Sequence, residues 1–492
     1  YPLSEYSMYG AVPLVEIKRR LLELKHAGKL DRVRMLLLTN ITFDGIVYDP
    51  AQIMEEVLAI KPDMIFLWDE AWCAYARFSP ILRRRTAMYS ADFLRKRFRS
   101  KEYRSEYEQW RVEFDSLDQN DDATWLDRKL MPDPDHARVR VYATHSTHKT
   151  LTALRQGSMI HVHDQDFEHH TRNAFNEAYM THTSTSPNYQ ILASLDVGRR
   201  QVELEGYEMV GRSIELAMML RERIESDPLI SRYFTVLRPK EMILPQYRPS
   251  GLETFFSKEQ GWGSMDKAWL SDEFVLDPTR VTLHVGRTGL DGDSFKQLLM
   301  DRFDIQINKT SRNTVLFMIH IGMTRGTIAH LVNVLTEISR DLDDKLDRWS
   351  RVEIEAYESQ VKSLTEDLPP LPNFSRFHPA FLTSADSTTP EGDLRRAFYR
   401  AYNDKACDHI KLEDGSLLNA IESGLQLVSA AFITPYPPGF PVLVPGQVIS
   451  KEIIQFLMAL DVKEIHGYEP MFGLRVFTAE VLEEESKRRI GS

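Results

Sequence analysis

The residues best suited to chemistry stand together at residues 143–151, where small hydroxyl side chains and two imidazoles, His145 and His148, lead to Lys149. A lysine amine can act as a covalent nucleophile and condense with an aldehyde, whereas hydroxyl and imidazole groups can bind a phosphate. Pyridoxal phosphate is the cofactor that combines an aldehyde with a phosphate. The stretch therefore indicates a pyridoxal-phosphate site, although a lysine after a strand is more often simply solvated.

Asp69 is a second candidate, because it ends an apolar run that begins at Met64. An enzyme with this cofactor needs a carboxylate against the ring nitrogen, since the protonated pyridinium accepts the electrons of a substrate carbanion. Ala71, two residues further on, is small enough to lie flat under a ring. The alternative is that Asp69 only caps the next helix, which is a common role for aspartate at such a position.

The elements that must position these residues are predicted to be parallel strands. Residues 64–68, and residues 33–38 apart from Arg34, are apolar without alternation. Residues 137–142 form a third, alternating run, and helical periodicity separates the first two. This order predicts an α/β sheet covered by helices on both faces. Ligands of such sheets bind at the carboxyl ends of the strands, where Asp69 and Lys149 both stand.

Composition narrows the class of protein. The chain has 492 residues, enough for about three domains, and a net charge of -11, which disfavours a generic nucleic-acid or anionic-membrane binder. Basic runs at residues 83–85 and 94–99 are followed at once by acidic residues, so they predict a solvated helix face. The two cysteines, Cys73 and Cys407, fit a reducing cytoplasm, and no apolar run approaches the ~18 residues of a membrane span.

A histidine-rich segment at residues 161–170 offers four imidazoles and three carboxylates, and a His-x-His spacing can chelate zinc. Strand alternation alone, however, places His161 and His163 on one face of a strand that begins near Ser158. We therefore predict no metal site.

Several segments together resemble the bacterial ornithine/lysine/arginine decarboxylases, and they follow one another in the order expected for that family. They are residues 39–45, 68–72, 75–78, 144–149, 183–187, 322–326 and 435–439. The resemblance implies the fold-type-I pyridoxal-phosphate architecture, which is α/β and aspartate-aminotransferase-like. It has a mostly parallel sheet with helices on both faces, an α+β small domain and a C-terminal α+β domain. The implied domains are residues 1–225, which bind the cofactor, 226–363, the small domain, and 364–492, the C-terminal decarboxylase domain.

The resemblance also implies roles for individual residues. Lys149 would carry the cofactor, and Lys149 or His148 would return a proton to the substrate. The implied cofactor contacts within the chain are Asp69 at the ring nitrogen, Ala71 under the ring, and Trp72. Ser146 and His148 would contact the phosphate. Ser184 and Thr185 would contact the cofactor from a neighbouring subunit. A homodimer or higher homo-oligomer is therefore expected. Members of the family carry an upstream wing domain, a phosphate loop and a stacking histidine, so we also expect a separate or upstream N-terminal segment.

The implied function is pyridoxal-phosphate-dependent decarboxylation of a basic amino acid to an amine and carbon dioxide, serving polyamine supply or acid resistance. Glu70 resembles the arginine decarboxylases more than the inducible lysine and ornithine enzymes, which usually have serine there, so arginine is favoured over lysine or ornithine. Two alternatives stay open. One is a catalytically inert regulatory or scaffolding homologue, and the other is an aminotransferase that holds the substrate carboxylate with an arginine such as Arg325.

Overall fold

The computed structural model of the chain describes residues 1–256, 261, 263–383, 387–412, 415–436, 441–459 and 464–490. Three main groups of strands follow one another along the chain, and each has its own helices. The first group holds the residues singled out above.

The main sheet has four strands in chain order, Met35–Thr39, Ile65–Asp69, Arg140–Ser146 and Ser158–Asp164. The first three are parallel and the fourth is antiparallel. The third strand continues through Ser146, so the prediction that it ends at Tyr142 was wrong. The reason is that His145 alternates with Thr144 and Ser146 and is buried on the same face as Val141 and Ala143, so a polar stretch still satisfies strand periodicity.

The two faces of the main sheet differ in burial. Phe66, Trp68 and Ala143 are buried on the more enclosed face, and the helix Ala87–Arg97 packs against the third and fourth strands. On the other face, Met35 and Leu37 of the first strand are 46% and 58% exposed. Alternation places Asp69 on this second face.

Helices precede, connect and follow the strands of the main sheet along the chain. They are Leu14–His26, Pro50–Ile60, Ala87–Arg97, Lys101–Asp115, Asp122–Leu126, Arg172–His182 and Tyr189–Ser226. The last is the longest of these helices, with 38 residues. Arg85, from a run predicted to be solvated, is instead buried and donates to the carbonyls of Ala268, Trp269, Asp272 and Glu273. It therefore satisfies carbonyl groups at the end of the helix Gly263–Ser271.

The second group of strands is an antiparallel sheet. Its strands are Thr235–Val236, Arg280–His284, Lys309–Thr310 and Thr314–Met318, with helices Gly292–Phe303, Arg325–Arg348 and Arg351–Thr365. Residues 304–307, which the structure describes, form no strand. Asp304 has a φ of 53° and ends the preceding helix in the left-handed region, which is incompatible with an extended strand.

The C-terminal part contains short antiparallel strands and four helices. The strands are Cys407–Ile410, Leu427–Val428, Thr434–Tyr436, Val448–Ile449, Glu464–His466, Tyr468–Glu469 and Gly473–Phe477. The helices are Leu394–Arg400, Gly415–Glu422, Lys451–Ala459 and Ala479–Ile490. Of the motif at residues 435–439, the first two residues belong to a strand and the remainder lies outside the described residues.

Buried side chains form distinct cores that bear on the domain boundaries. One core surrounds the main sheet, a second lies around the antiparallel sheet, and two smaller ones lie in the C-terminal part. Buried residues between Leu237 and Leu276 belong to the first core, whereas Ile230 and Phe234 belong to the second. Packing therefore does not divide the chain cleanly at residue 226, because the segment after the long helix returns to the main sheet.

His284 makes the stability of this fold dependent on pH. Burial, and secondarily the nearby positive charge of Arg287, lowers the pKa of His284 from 6.5 to about 4. Between these values the unfolded chain binds the proton and the folded chain does not, so the free energy of unfolding falls as the pH falls. The loss is at most about 3 kcal/mol.

We expect His284→Gln to reduce the difference in unfolding free energy between pH 7 and pH 5, as measured by urea denaturation. His136→Gln is the control, because the His136 side chain is 75% exposed. An unchanged pH dependence in folded His284→Gln would contradict the assignment.

Candidate functional site

Lys149 lies three residues beyond the third strand of the main sheet, in the turn that follows Ser146. Its Nζ is 4.5 Å from the centroid of the Trp72 ring. Burial lowers the pKa of the Lys149 amine, Asp69 acts in the opposite direction, and the positive charge of Arg280 lowers it further. The amine is thus more readily neutral, and hence more nucleophilic, than a solvated lysine.

Asp69 is brought next to this turn by the register of the sheet. It pairs in parallel register with Thr144, whose hydroxyl donates to the Asp69 Oδ1 at 3.3 Å. The same Oδ1 accepts from the backbone N–H of Ala71 at 3.0 Å. Asp69 does not cap a helix of two turns or more, because only a short 3-10 segment, Ala74–Phe78, follows it. Its carboxylate is held instead at the carboxyl end of two neighbouring strands.

Ser146 and His148, the predicted phosphate contacts, each form a hydrogen bond with a backbone carbonyl. The backbone N–H of Ser146 donates to the carbonyl of Ala71 at 3.3 Å. Ser146 therefore lies next to Ala71, the residue predicted to lie under the cofactor ring. The Nδ1 of His148 is 3.1 Å from the carbonyl oxygen of Gly157 and carries the proton in that bond. The Nε2 of His148 is then the ring atom that can accept.

Two buried hydroxyls next to Lys149 test whether these residues fit a phosphorylated cofactor. The Oγ1 atoms of Thr147 and Thr150 are buried and have no hydrogen-bond partner among the described residues. Buried hydroxyls normally have a hydrogen-bond partner. Two hydroxyls without one, at residues that flank Lys149 in the sequence, suit a polar ligand. With the amine of Lys149, the carboxylate of Asp69 and the small Ala71, the donors and acceptors are those that pyridoxal phosphate requires.

The surroundings of Trp72 include residues that sequence reasoning missed. Phe43 packs against Trp72 with ring centroids 5.0 Å apart, and the guanidinium of Arg280 lies 5.7 Å from the Trp72 ring. Lys309 pairs with Asp44, next to Phe43. Phe43 and Asp44 stood within a recognised motif but had no role assigned, and nothing in the sequence near Arg280 connects it to a residue 208 positions away.

Ser184 and Thr185 are not brought to Lys149 by described contacts within the chain. Both are exposed in the connection between the helices Arg172–His182 and Tyr189–Ser226. The hydrogen bonds of Ser184 are local and involve Ser186. A role for them at the site therefore depends on a second subunit.

Glu70 lies on the face of the sheet opposite to Asp69 and is fully buried. It accepts from the Nδ2 of Asn40 and from the N–H of Ala87, each at 2.8 Å, and lies 2.7 Å from the Nε2 of His145. These contacts make Glu70 part of the scaffold behind the site, so it does not reach a substrate beside Lys149. The preference for arginine that rested on Glu70 loses its residue-level support.

One imidazole of the histidine-rich segment at residues 161–170 packs against a neighbouring strand of the main sheet. His161 packs against His145 with ring centroids 4.6 Å apart, and burial together with His145 lowers the pKa of His161. Within the described residues, no group of three or more His, Cys, Asp or Glu side chains is arranged to hold a metal ion. A search of the described helices likewise finds none that is long and apolar enough to cross a bilayer.

Comparison with known proteins places this site in context. The family model of the Orn/Lys/Arg decarboxylase major domain matches residues 3–96 and 125–327. The chain is 26% identical over 521 residues to the inducible lysine decarboxylase of Escherichia coli strain K12, covering 99% of this chain and 63% of that protein. It is 25% identical over 449 residues to the biodegradative arginine decarboxylase of the same strain, covering 84% of this chain and 52% of that protein.

Among solved structures, lysine decarboxylase A from Pseudomonas aeruginosa superposes with a TM-score of 0.60 at 20% identity, covering 96% of this chain and 62% of that one. This likeness shows the fold, which is that of the fold-type-I pyridoxal-phosphate enzymes. The chain spans less than two thirds of the length of each of these relatives.

Proposed function

Since the chain belongs to the Orn/Lys/Arg decarboxylase family, whose cofactor is pyridoxal phosphate, we propose that it decarboxylates a basic amino acid. The observation that carries the proposal is the proximity of Lys149, an amine of lowered pKa, to the charge of Asp69, which ends the strand parallel to the one that leads to Lys149. These two groups are the covalent attachment point and the ring-nitrogen partner that such an enzyme needs.

The residues of the chain would divide the work as follows. When bound, the cofactor supplies an electron sink for the bond that breaks at the α-carbon. Asp69 would hold a proton on the ring nitrogen, and Ala71 would leave room for the flat ring. Ser146 and His148 would bind the phosphate, and Trp72 would exclude water from one side of Lys149. Lys149 or His148 would then deliver a proton to the α-carbon.

The identity of the basic amino acid follows less directly. Glu70 points away from the site, so it gives arginine no advantage. The inducible lysine decarboxylase of Escherichia coli aligns over 99% of this chain and the biodegradative arginine decarboxylase over 84%, and we therefore place lysine ahead of arginine and ornithine. Turnover of the three amino acids, each measured as amine formed and carbon dioxide released, tests both the reaction and this order. Absence of carbon dioxide with all three would refute the proposed reaction.

The two alternatives predict different results in the same assay. An aminotransferase would form a keto acid and no carbon dioxide, and an inert homologue would form neither product. Arg325, the arginine considered for transamination, is exposed at the start of the helix Arg325–Arg348, and no described contact joins it to Lys149. None of the described contacts of Arg325 therefore favours the aminotransferase reaction.

We further propose that the active unit is a homodimer or a higher homo-oligomer. Ser184 and Thr185 are exposed at the start of a long helix whose first half also exposes Tyr189, Val197 and Leu204, at 77%, 69% and 67%. Such apolar exposure is typical of an interaction surface. Ser184 and Thr185 would then reach the cofactor of the neighbouring subunit.

We expect activity to return when Lys149→Ala protein is mixed with Ser184→Arg/Thr185→Arg protein after subunit exchange. Each heterodimer would have one intact site, so about a quarter of the wild-type activity should be recovered. Lys149→Ala mixed with Asp69→Asn is the matched control, since both residues come from the same subunit and every hybrid site would contain a defect. Failure of the first mixture after verified exchange would confine each site to one chain.

The remaining expectations are proposals of the same kind. We propose the three domains at residues 1–225, 226–363 and 364–492, with the segment 237–276 packed back on the first. We also propose a cytoplasmic location, in keeping with the free thiols of Cys73 and Cys407, and a role in polyamine supply or acid resistance.

A further inference from the structure

Arg280 is a buried cation outside the predicted site that contacts it from the antiparallel sheet. It begins the strand Arg280–His284, and its side chain is 2% exposed. Its Nη2 donates to the carbonyl oxygen of Trp72 at 3.0 Å, and its guanidinium lies over the ring of the same residue. Trp72 is also the residue whose ring lies 4.5 Å from the Nζ of Lys149.

A second set of contacts fixes Arg280 in this position. Its Nε is 3.5 Å from the Oδ2 of Asp277, and Asp277 is itself fully buried. Asp277 also accepts from the hydroxyls of Tyr75 and Thr279. Tyr75 follows Trp72 by three residues, so both ends of this network attach to the segment that places the Trp72 ring.

Gly45 completes the enclosure of the Arg280 side chain. A Cβ built on Gly45 would come within 2.6 Å of the Cβ and Cγ of Arg280, and Gly45 has a φ of 93°. Only glycine combines that backbone conformation with so close an approach. The aliphatic part of Arg280 is therefore fixed by packing, while its guanidinium is held by one hydrogen bond and by the charge of Asp277.

We propose that Arg280 is a positioning residue for Lys149, acting through Trp72 and through its own positive charge beside the amine. The proposal rests on the function proposed above, but it concerns the reactivity of Lys149 and not the reaction itself. Asp69 is the opposing charge next to Lys149, and burial acts in the same direction as Arg280. A neutral residue at position 280 would therefore leave the charge of Asp69 opposed by burial alone and favour the protonated, unreactive amine.

The test measures Lys149 directly in the full chain freed of cofactor. Trace labelling with acetic anhydride between pH 6 and pH 10, read on the Lys149 peptide by mass spectrometry, reports the neutral fraction of the amine. Arg280→Gln removes the charge and keeps an N–H donor for the Trp72 carbonyl. We expect Lys149 in this variant to label about fivefold more slowly at pH 8, because its pKa rises.

Two comparison variants separate charge from general disturbance. Arg280→Lys keeps a positive charge and should stay within about twofold of the wild-type rate. Arg85→Gln applies the same replacement to another buried arginine, one that donates to the carbonyls of Ala268 and Trp269 and has no described contact with Arg280, and it should leave Lys149 labelling unchanged. Circular dichroism checks that each variant is folded.

The outcomes decide the proposal in either direction. A slower Lys149 in Arg280→Gln, with little change in the other two variants, supports it. Wild-type labelling in folded Arg280→Gln overturns it, as does an equal loss in Arg280→Lys or Arg85→Gln. Should Arg280→Gln not fold, the double variant Asp277→Asn/Arg280→Gln is read in the same way, because removing both buried charges costs less stability than leaving one unpaired. Loss of decarboxylase activity would not affect this readout.

Discussion

Lys149→Ala is expected to abolish turnover, by at least about 1000-fold, while the protein stays folded. The amine of Lys149 is the group that would attach the cofactor covalently, and alanine cannot replace a nucleophile. The side chain is only partly buried and forms no salt bridge among the described residues, so its removal should cost little stability. Steady-state kinetics and circular dichroism on the purified variant measure the two effects separately.

Lys61→Ala is the matched control for this prediction. Lys61 is also a buried lysine, but it pairs with Asp63 before the amino end of the strand that carries Asp69. We expect its loss to change stability more than turnover. Retention of most activity in Lys149→Ala would mean that another amine carries the cofactor.

Asp69→Asn is expected to lower kcat on the order of 100- to 1000-fold with little change in substrate affinity. The amide is nearly isosteric and can still accept from Thr144 and from the N–H of Ala71. It cannot hold a proton on a pyridine nitrogen, so the loss concerns an interaction that matters mainly in the transition state. Steady-state kcat and KM, together with the cofactor dissociation constant, measure this separation.

Glu70, the adjacent carboxylate, offers a control in which the same carboxylate-to-amide change is made. Glu70→Gln removes a negative charge on the opposite face of the sheet, where the amide can keep several of the contacts with Asn40, Ala87 and His145. It should lower kcat far less than Asp69→Asn and affect mainly thermal stability. Equal effects of the two variants would show that Asp69 acts only through the fold.

The neighbourhood of Asp69 and Lys149 could be predicted from the sequence because it depends on local rules. Apolar runs defined the strands, parallel strands bring their carboxyl ends to one edge, and the register then pairs Asp69 with Thr144. The extent of the third strand was misjudged, since buried His145 satisfies the alternation that an apolar residue usually provides.

The parts of the site that sequence reasoning missed depend on contacts between distant segments. Arg280 reaches Trp72 only after the antiparallel sheet has packed against the main sheet, and no periodicity encodes that distance. The position of Glu70 has a simpler cause. Adjacent residues on an extended backbone point to opposite faces, so Glu70 lies behind the sheet when Asp69 faces the site.

The most direct test of the central claim is to locate the cofactor on the chain. Borohydride reduction of the protein loaded with pyridoxal phosphate, followed by peptide mapping, should place the pyridoxyl group on Lys149, in the peptide that also contains Ser146 and His148. A label on any other lysine, or no stable label after loading, would contradict the proposed site.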